Sequence, residues 1–243
     1  MSKTRRHFKD LHPVAYWIWG HKFRVLLFML VGMLTCYPYL IEDGKVGQTL
    51  FEMMFTGLIF VSMYVLCDTR NDTIVALVFG VPALVIHAAH YIFPDLFMYS
   101  LLMACLVVFY AYMTLSVLRH VLREPAVDRD TIAGAICIYL LMGMVWAMLY
   151  SFVEQMSPGA FMVVNESPSE MRTALDAGGV GLHFTVFLYF SYTTLTTLGY
   201  GDIIPASDAA RSLTSLEAIA GVLFIGAFVA RLISAYPSED VQK

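Results

Sequence analysis

Hydrophobic residues fall in long unbroken runs, not in the alternation of strands or the stripes of amphipathic helices. Six runs stand out: Phe23–Ile41, Thr49–Leu66, Thr73–Phe93, Leu96–Leu118, Thr131–Val153 and Ala209–Ala235. Each is close to the ~20 residues that a helix needs to cross a bilayer. A shorter apolar stretch, Leu182 to Leu195, cannot cross. A helix that enters the membrane and returns is tolerated only where protein covers it or water lines it. The pattern predicts an all-α membrane protein with six transmembrane helices and one re-entrant helix. Its expected divisions are an N-terminal segment (1–22), a four-helix front module (23–118), a linker (119–130), a two-helix module around the re-entrant helix (131–235) and a short tail (236–243).

Composition agrees. The chain is 59% hydrophobic and 14% charged, where a soluble domain carries about 25% charged residues. The net charge of -4 says less than the placement of the charges. Six spans put both termini on one side. All but Lys45, Arg172 and Arg211 of the 15 lysines and arginines then share that side. The positive-inside rule makes it the cytoplasm, in a plasma or inner membrane. The basic start leads into a spanning run without a small-residue cleavage site, so no signal peptide is expected. Tyr16, Trp17 and Trp19 mark either an interfacial helix over Leu11 to Gly20 or a tail with aromatic side chains. Cys36, Cys67, Cys105 and Cys137 lie in or beside apolar runs and read as buried thiols without a disulfide framework.

The chemistry concentrates in Thr193-Thr194-Leu195-Thr196-Thr197-Leu198-Gly199-Tyr200-Gly201-Asp202-Ile203-Ile204-Pro205. Gly199 and Gly201 stand two apart. Aiming consecutive carbonyls at one axis requires a backbone that alternates between ordinary and positive φ, which glycine takes cheaply. Thr197 adds a hydroxyl oxygen at one end of the row. Leu198 and Tyr200 are expected to point away from the axis as wedges. The run resembles the pore loop of tetrameric potassium channels, over roughly Thr131 to Ala235. For Met1 to Asp130 the likeness is one of segment count only.

The resemblance implies K+ as the permeant ion, bound by Thr197 to Gly201 in four copies, a homotetramer in the lipid bilayer, and no cofactor. It implies filter support from Tyr189, Phe190, Thr193, Thr194, Thr196 and Asp202. Tyr189 and Phe190 stand where family members often carry paired tryptophans, Thr193 where some carry a glutamate, and Leu198 where valine is usual. Phe190 cannot hydrogen-bond Tyr200, so Thr194 is the expected partner of that hydroxyl. In the last span Gly221 is a hinge or packing candidate and Gly226 a second, and Val222, Ile225 and Val229 are candidates to line the inner cavity. Glu217 is an acid inside the membrane, expected to brace the pore helix through Thr or Ser hydroxyls or to face the cavity.

Other features carry less. His87 and His90 share a helix face, but no Cys, Asp or Glu stands at ligand spacing. Pro82 is expected to kink its helix. Glu154, Glu166, Glu170 and Asp176 make the loop between the last two spans acidic, for cation enrichment or for ordinary solvation. Ser167-Pro168, Glu170 and Gly178-Gly179 signal a small helix there. No catalytic constellation or nucleic-acid patch appears, so an enzyme is not expected. A transporter subunit or a non-conducting sensor that kept the filter are the rival readings. Voltage-sensing relatives carry arginines every third residue in the fourth span; Leu96–Leu118 has none, which predicts a channel without steep voltage gating. Only Tyr236 to Lys243 follows the last span, too little for a nucleotide- or calcium-binding domain.

Overall fold

The computed structural model describes residues 22–42, 45–67, 70–92, 96–123, 129–164 and 184–235. The expected interfacial helix, the small loop helix and the acids Glu166, Glu170 and Asp176 lie outside the described residues. In chain order the helices are α1 (Lys22–Glu42), α2 (Lys45–Leu66), α3 (Arg70–Val75), α4 (Val81–Ile92), α5 (Leu96–Arg123), α6 (Arg129–Met156), α7 (Phe184–Leu195) and α8 (Asp208–Ala235). Among the described residues five segments are long and apolar enough to cross a membrane: Thr49–Leu66, Arg70–Ala89, Ser100–Arg123, Arg129–Met156 and Asp208–Arg231. The 21-residue helix α1 occupies the position of the first expected run.

Between α3 and α4 the chain forms a π-helical turn, Ala76–Gly80, just before Pro82. Proline lacks an N–H, and its ring clashes with the carbonyl four residues back. Widening the preceding turn is one way to relieve that clash. The expected irregularity at Pro82 is therefore a π turn. The expected linker 119–130 is helical at both ends, since α5 continues to Arg123 and α6 begins at Arg129.

Helix α5 packs along α6, and α1 packs on both α2 and α6. Fully buried side chains such as Leu26, Leu58, Phe109, Tyr110, Leu141 and Met148 fill the core of this helix assembly. Lipid tails are as apolar as these residues, so close packing rather than water exclusion holds such helices together. The Arg24 guanidinium lies 3.9 Å from Asp130 at the start of α6. At that same end Arg231 of α8 donates to the carbonyls of Val121 and Leu122, at 2.6 and 3.1 Å, capping α5. At the other end β1 (Phe161–Val163) pairs antiparallel with β2 (Ile203–Pro205), Met162 opposite Ile204. This two-stranded sheet, which the apolar runs do not signal, ties the exit of α6 to the chain entering α8.

Three expectations about side chains change. Glu154 was expected among the solvating acids of the loop. It is buried, and its carboxylate accepts from the backbone N–H groups of Gly159 (2.7 Å) and Phe161 (2.9 Å), fixing the turn after α6. Of the four cysteines all are free, but only Cys137 is buried; Cys36 and Cys67 are exposed. An acid also does reach His87: Glu52 of α2 approaches its Nε2 to 3.1 Å.

Candidate functional site

Helix α7 stands at the centre, and its aromatic residues explain its seat. Phe187 and Phe190 close edge-on around Phe161 at 5.1 and 5.4 Å, and Tyr150 of α6 completes the cluster at 5.2 Å from Phe161. Edge-to-face geometry suits aromatic quadrupoles. Phe184, at the start of α7, meets Phe55 of α2 at 5.4 Å. Phe190 thus seats the helix and does not approach Tyr200.

A strip of hydroxyls then binds α7 to α6. Tyr192 donates to the Leu140 carbonyl (2.7 Å), Ser191 to the Gly143 carbonyl (2.8 Å), and Tyr139 to the Leu195 carbonyl (3.0 Å). Leu195 ends α7, where carbonyls lack partners within the helix. Gly143 permits the approach: a Cβ there would run into the Tyr192 ring. Glu217 of α8 joins this strip. It is fully buried, and its two carboxyl oxygens lie 2.5 Å from Ser191 Oγ and 2.5 Å from the Tyr150 hydroxyl. Of the two expected roles, bracing α7 is the one the geometry shows; the carboxyl does not face outward.

Beyond Leu195 the backbone leaves the helix with an alternation of φ. Thr197 (60°), Gly199 (55°) and Gly201 (78°) are positive, while Leu198 and Tyr200 are not. Glycine pays nothing for this; a β-branched threonine does, by roughly 1–2 kcal/mol. The strained Thr197 was not expected from the sequence, which signals positive φ only through glycine. The backbone of Gly199 donates to the Thr193 carbonyl (3.0 Å), and that of Thr197 to the Thr194 carbonyl (2.9 Å). The segment is therefore bound to the end of α7 by its own main chain.

The far end is fixed by Asp202. One carboxylate oxygen accepts from the Tyr189 hydroxyl (2.6 Å), the other from the Ile203 N–H (3.0 Å). The Tyr189 ring also stacks on Tyr200, at 6.5 Å and 13°. Tyr189 and Asp202, both expected as support residues, come together beside Tyr200. The threonine hydroxyls turn elsewhere. Thr193 and Thr196 turn their hydroxyls back to the carbonyls of Phe190 and Tyr192. Among the described residues Thr194 does not bond the Tyr200 hydroxyl. Leu198 and Tyr200 are 54% and 68% exposed in the single chain, so apart from the Tyr189–Tyr200 stack the expected wedging contacts are not made within it.

In α8, Gly221 sits under the end of α7, and a Cβ there would strike the Leu195 carbonyl oxygen. Phe224 stacks on Tyr139 beside it, at 5.9 Å. Close packing accounts for this glycine, and the helix runs unbroken through it. A Cβ at Gly226 would meet no atom of a neighbouring element within 4 Å, and Val222, Ile225 and Val229 are exposed. The residues missed by sequence reasoning are Tyr139, Gly143, Tyr150, Ser191 and Tyr192. Tyr139, Gly143 and Tyr150 recur at helical spacing on one face of an apolar run, and such hydroxyls require partners there.

Residues 134–236 match the profile of the family described as Ion channel. Two pore potassium channel b of Oryza sativa subsp. japonica is 42% identical over 74 residues, 30% of this chain and 18% of that protein. Two-pore potassium channel 4 of Arabidopsis thaliana is 37% identical over 51 residues, 21% and 18% of the two chains. Two-pore potassium channel 1 of the same plant is 41% identical over 44 residues, 18% and 12%. The matched part spans less than a fifth of the length of these relatives. Residues 134–236, which hold the Thr197–Gly201 motif with its alternating φ, are thus similar to an ion channel family and, over a shorter stretch, to plant proteins named potassium channels.

Proposed function

We propose that this chain is one subunit of a homotetrameric, K+-selective channel. It crosses the membrane six times, with both ends in the cytoplasm. Four copies of Thr197 to Gly201 surround one axis, and their carbonyls replace the ion's hydration shell as ions pass by knock-on. The observation that carries this reading is the positive φ at Thr197, Gly199 and Gly201. A turn after a helix needs one such residue, whereas a row of carbonyls turned to one side needs every second one. The C-terminal end of α7 adds the negative end of a helix dipole, which favours a cation beyond it.

The front module, α1 to α5, is not a steep voltage sensor. Moving one charge through the whole field is worth about 2.3 kcal/mol per 100 mV, and steep gating needs several charges per subunit. Within α5 the basic residues stand in the last two turns, from Arg119 onward.

Flux from liposomes holding the purified chain tests the function. Passive K+ release exceeding Na+ release, collapsing once the K+ gradient is spent, is the expected result. Release that requires a second ion gradient would indicate a transporter, and no release a sensor; either would overturn the proposal.

A further inference from the structure

At the membrane face away from the filter, the ends of α1, α2, α3 and α5 enclose a cavity of about 440 Å³. Its wall carries four basic side chains: Lys22, Arg119, His120 and Arg123. Phe23, Leu66 and Val117 give it an apolar floor. Asp72 is the one carboxylate in the lining, and it is already engaged. Its Oδ1 accepts from the Tyr112 hydroxyl at 2.7 Å and from Ser116 at 3.3 Å. Arg119 lies near enough to interact with that same tyrosine.

What the two arginines do not do is informative. Cations near a helix C-terminus commonly cap its last carbonyls. In α5 that role falls to Arg231, which takes the Val121 and Leu122 carbonyls from the other side. Neither Arg119 nor Arg123 has a carboxylate among the described residues within ion-pair distance. Both are exposed beside the cavity. A guanidinium fork matches a phosphate in shape and charge.

We propose that this cavity binds a phosphate-bearing anion, with Arg119 and Arg123 holding the phosphate and Tyr112 and Ser116 beside it. The apolar floor next to a basic rim suits a group attached to a lipid chain, and a soluble phosphate shares the same chemistry. The site is separate from the filter and independent of the conduction reading.

Native mass spectrometry of the purified, delipidated chain tests it, with phosphatidic acid and phosphatidylcholine added in turn. Phosphatidic acid is expected to be retained in preference to phosphatidylcholine, whose headgroup carries no net charge. In Arg119→Gln/Arg123→Gln that retention is expected to fall by roughly tenfold or more, as two cationic residues near a membrane surface imply. Arg119→Lys/Arg123→Lys, which keeps the charge, is expected to keep most of it. Arg123→Gln alone, at the exposed rim, serves if the double variant does not fold, with a smaller loss. Competition by inorganic phosphate would identify the free anion as sufficient; retention unaffected by it would identify the lipid. Equal retention of the two lipids, or retention unchanged in the glutamine variants, would overturn the proposal.

Discussion

At the scale of single residues, the geometry of the Thr197–Gly201 segment rests on φ. Gly199 at 55° has no neighbour a Cβ would touch, so only its backbone conformation resists a side chain. Gly199→Ala costs about 1–2 kcal/mol at each copy. The expected outcome is loss of K+ over Na+ discrimination without loss of assembly, read by liposome flux. Glu217 argues the opposite case, where a side chain is needed. Glu217→Ala leaves the buried Tyr150 hydroxyl without its acceptor, at roughly 1–3 kcal/mol, and takes one partner from Ser191, which keeps the Gly143 carbonyl. Glu217→Gln offers Ser191 a donor and Tyr150 an acceptor in nearly the same volume. Thermal unfolding of the detergent-solubilised protein should show the alanine variant clearly destabilised and the glutamine variant close to wild type. The positive φ of Gly199 and Gly201 was legible in the sequence because glycine marks it locally. Thr197's strain was not, because threonine gives no sign of positive φ; Glu154's burial was not, because its partners are backbone groups of a turn.

At the scale of elements, α7 hangs between α6 and α8. Its dependence on α8 is testable at Gly221, where a methyl group meets the Leu195 carbonyl, a backbone atom that cannot turn aside. Gly221→Ala should cost about 1–3 kcal/mol through forced repacking. Gly226→Ala, with open space, should be neutral or gain up to about 1 kcal/mol of helix propensity. Comparing the two melting temperatures separates a packing glycine from a hinge, for which both would act alike. The spanning helices could be read from run length because the bilayer fixes that length. The β1–β2 pair could not, since strands of three residues leave no periodicity. The π turn was half legible: Pro82 marks the place, but not how the chain relieves it.

At the scale of the whole molecule, the two pore-module helices differ in burial. Within the subunit 56% of 129–156 is buried but only 11% of 208–231, although both are apolar. An apolar helix left open in this way belongs against lipid or other copies of the chain. Native mass measurement should give four subunits, and a dimer as the sole species would contradict a filter built from one strand per chain. Conductance in symmetrical K+ should depend weakly on voltage in wild type and Arg119→Gln alike. A steep curve that flattens in the variant would show that Arg119 carries gating charge. The most direct test of the central claim is the reversal potential across a planar bilayer holding the purified protein, with K+ on one side and Na+ on the other. The account predicts a reversal potential displaced far toward that of a membrane permeable to K+ alone, and lost in Gly199→Ala; a wild-type reversal potential near zero would contradict it.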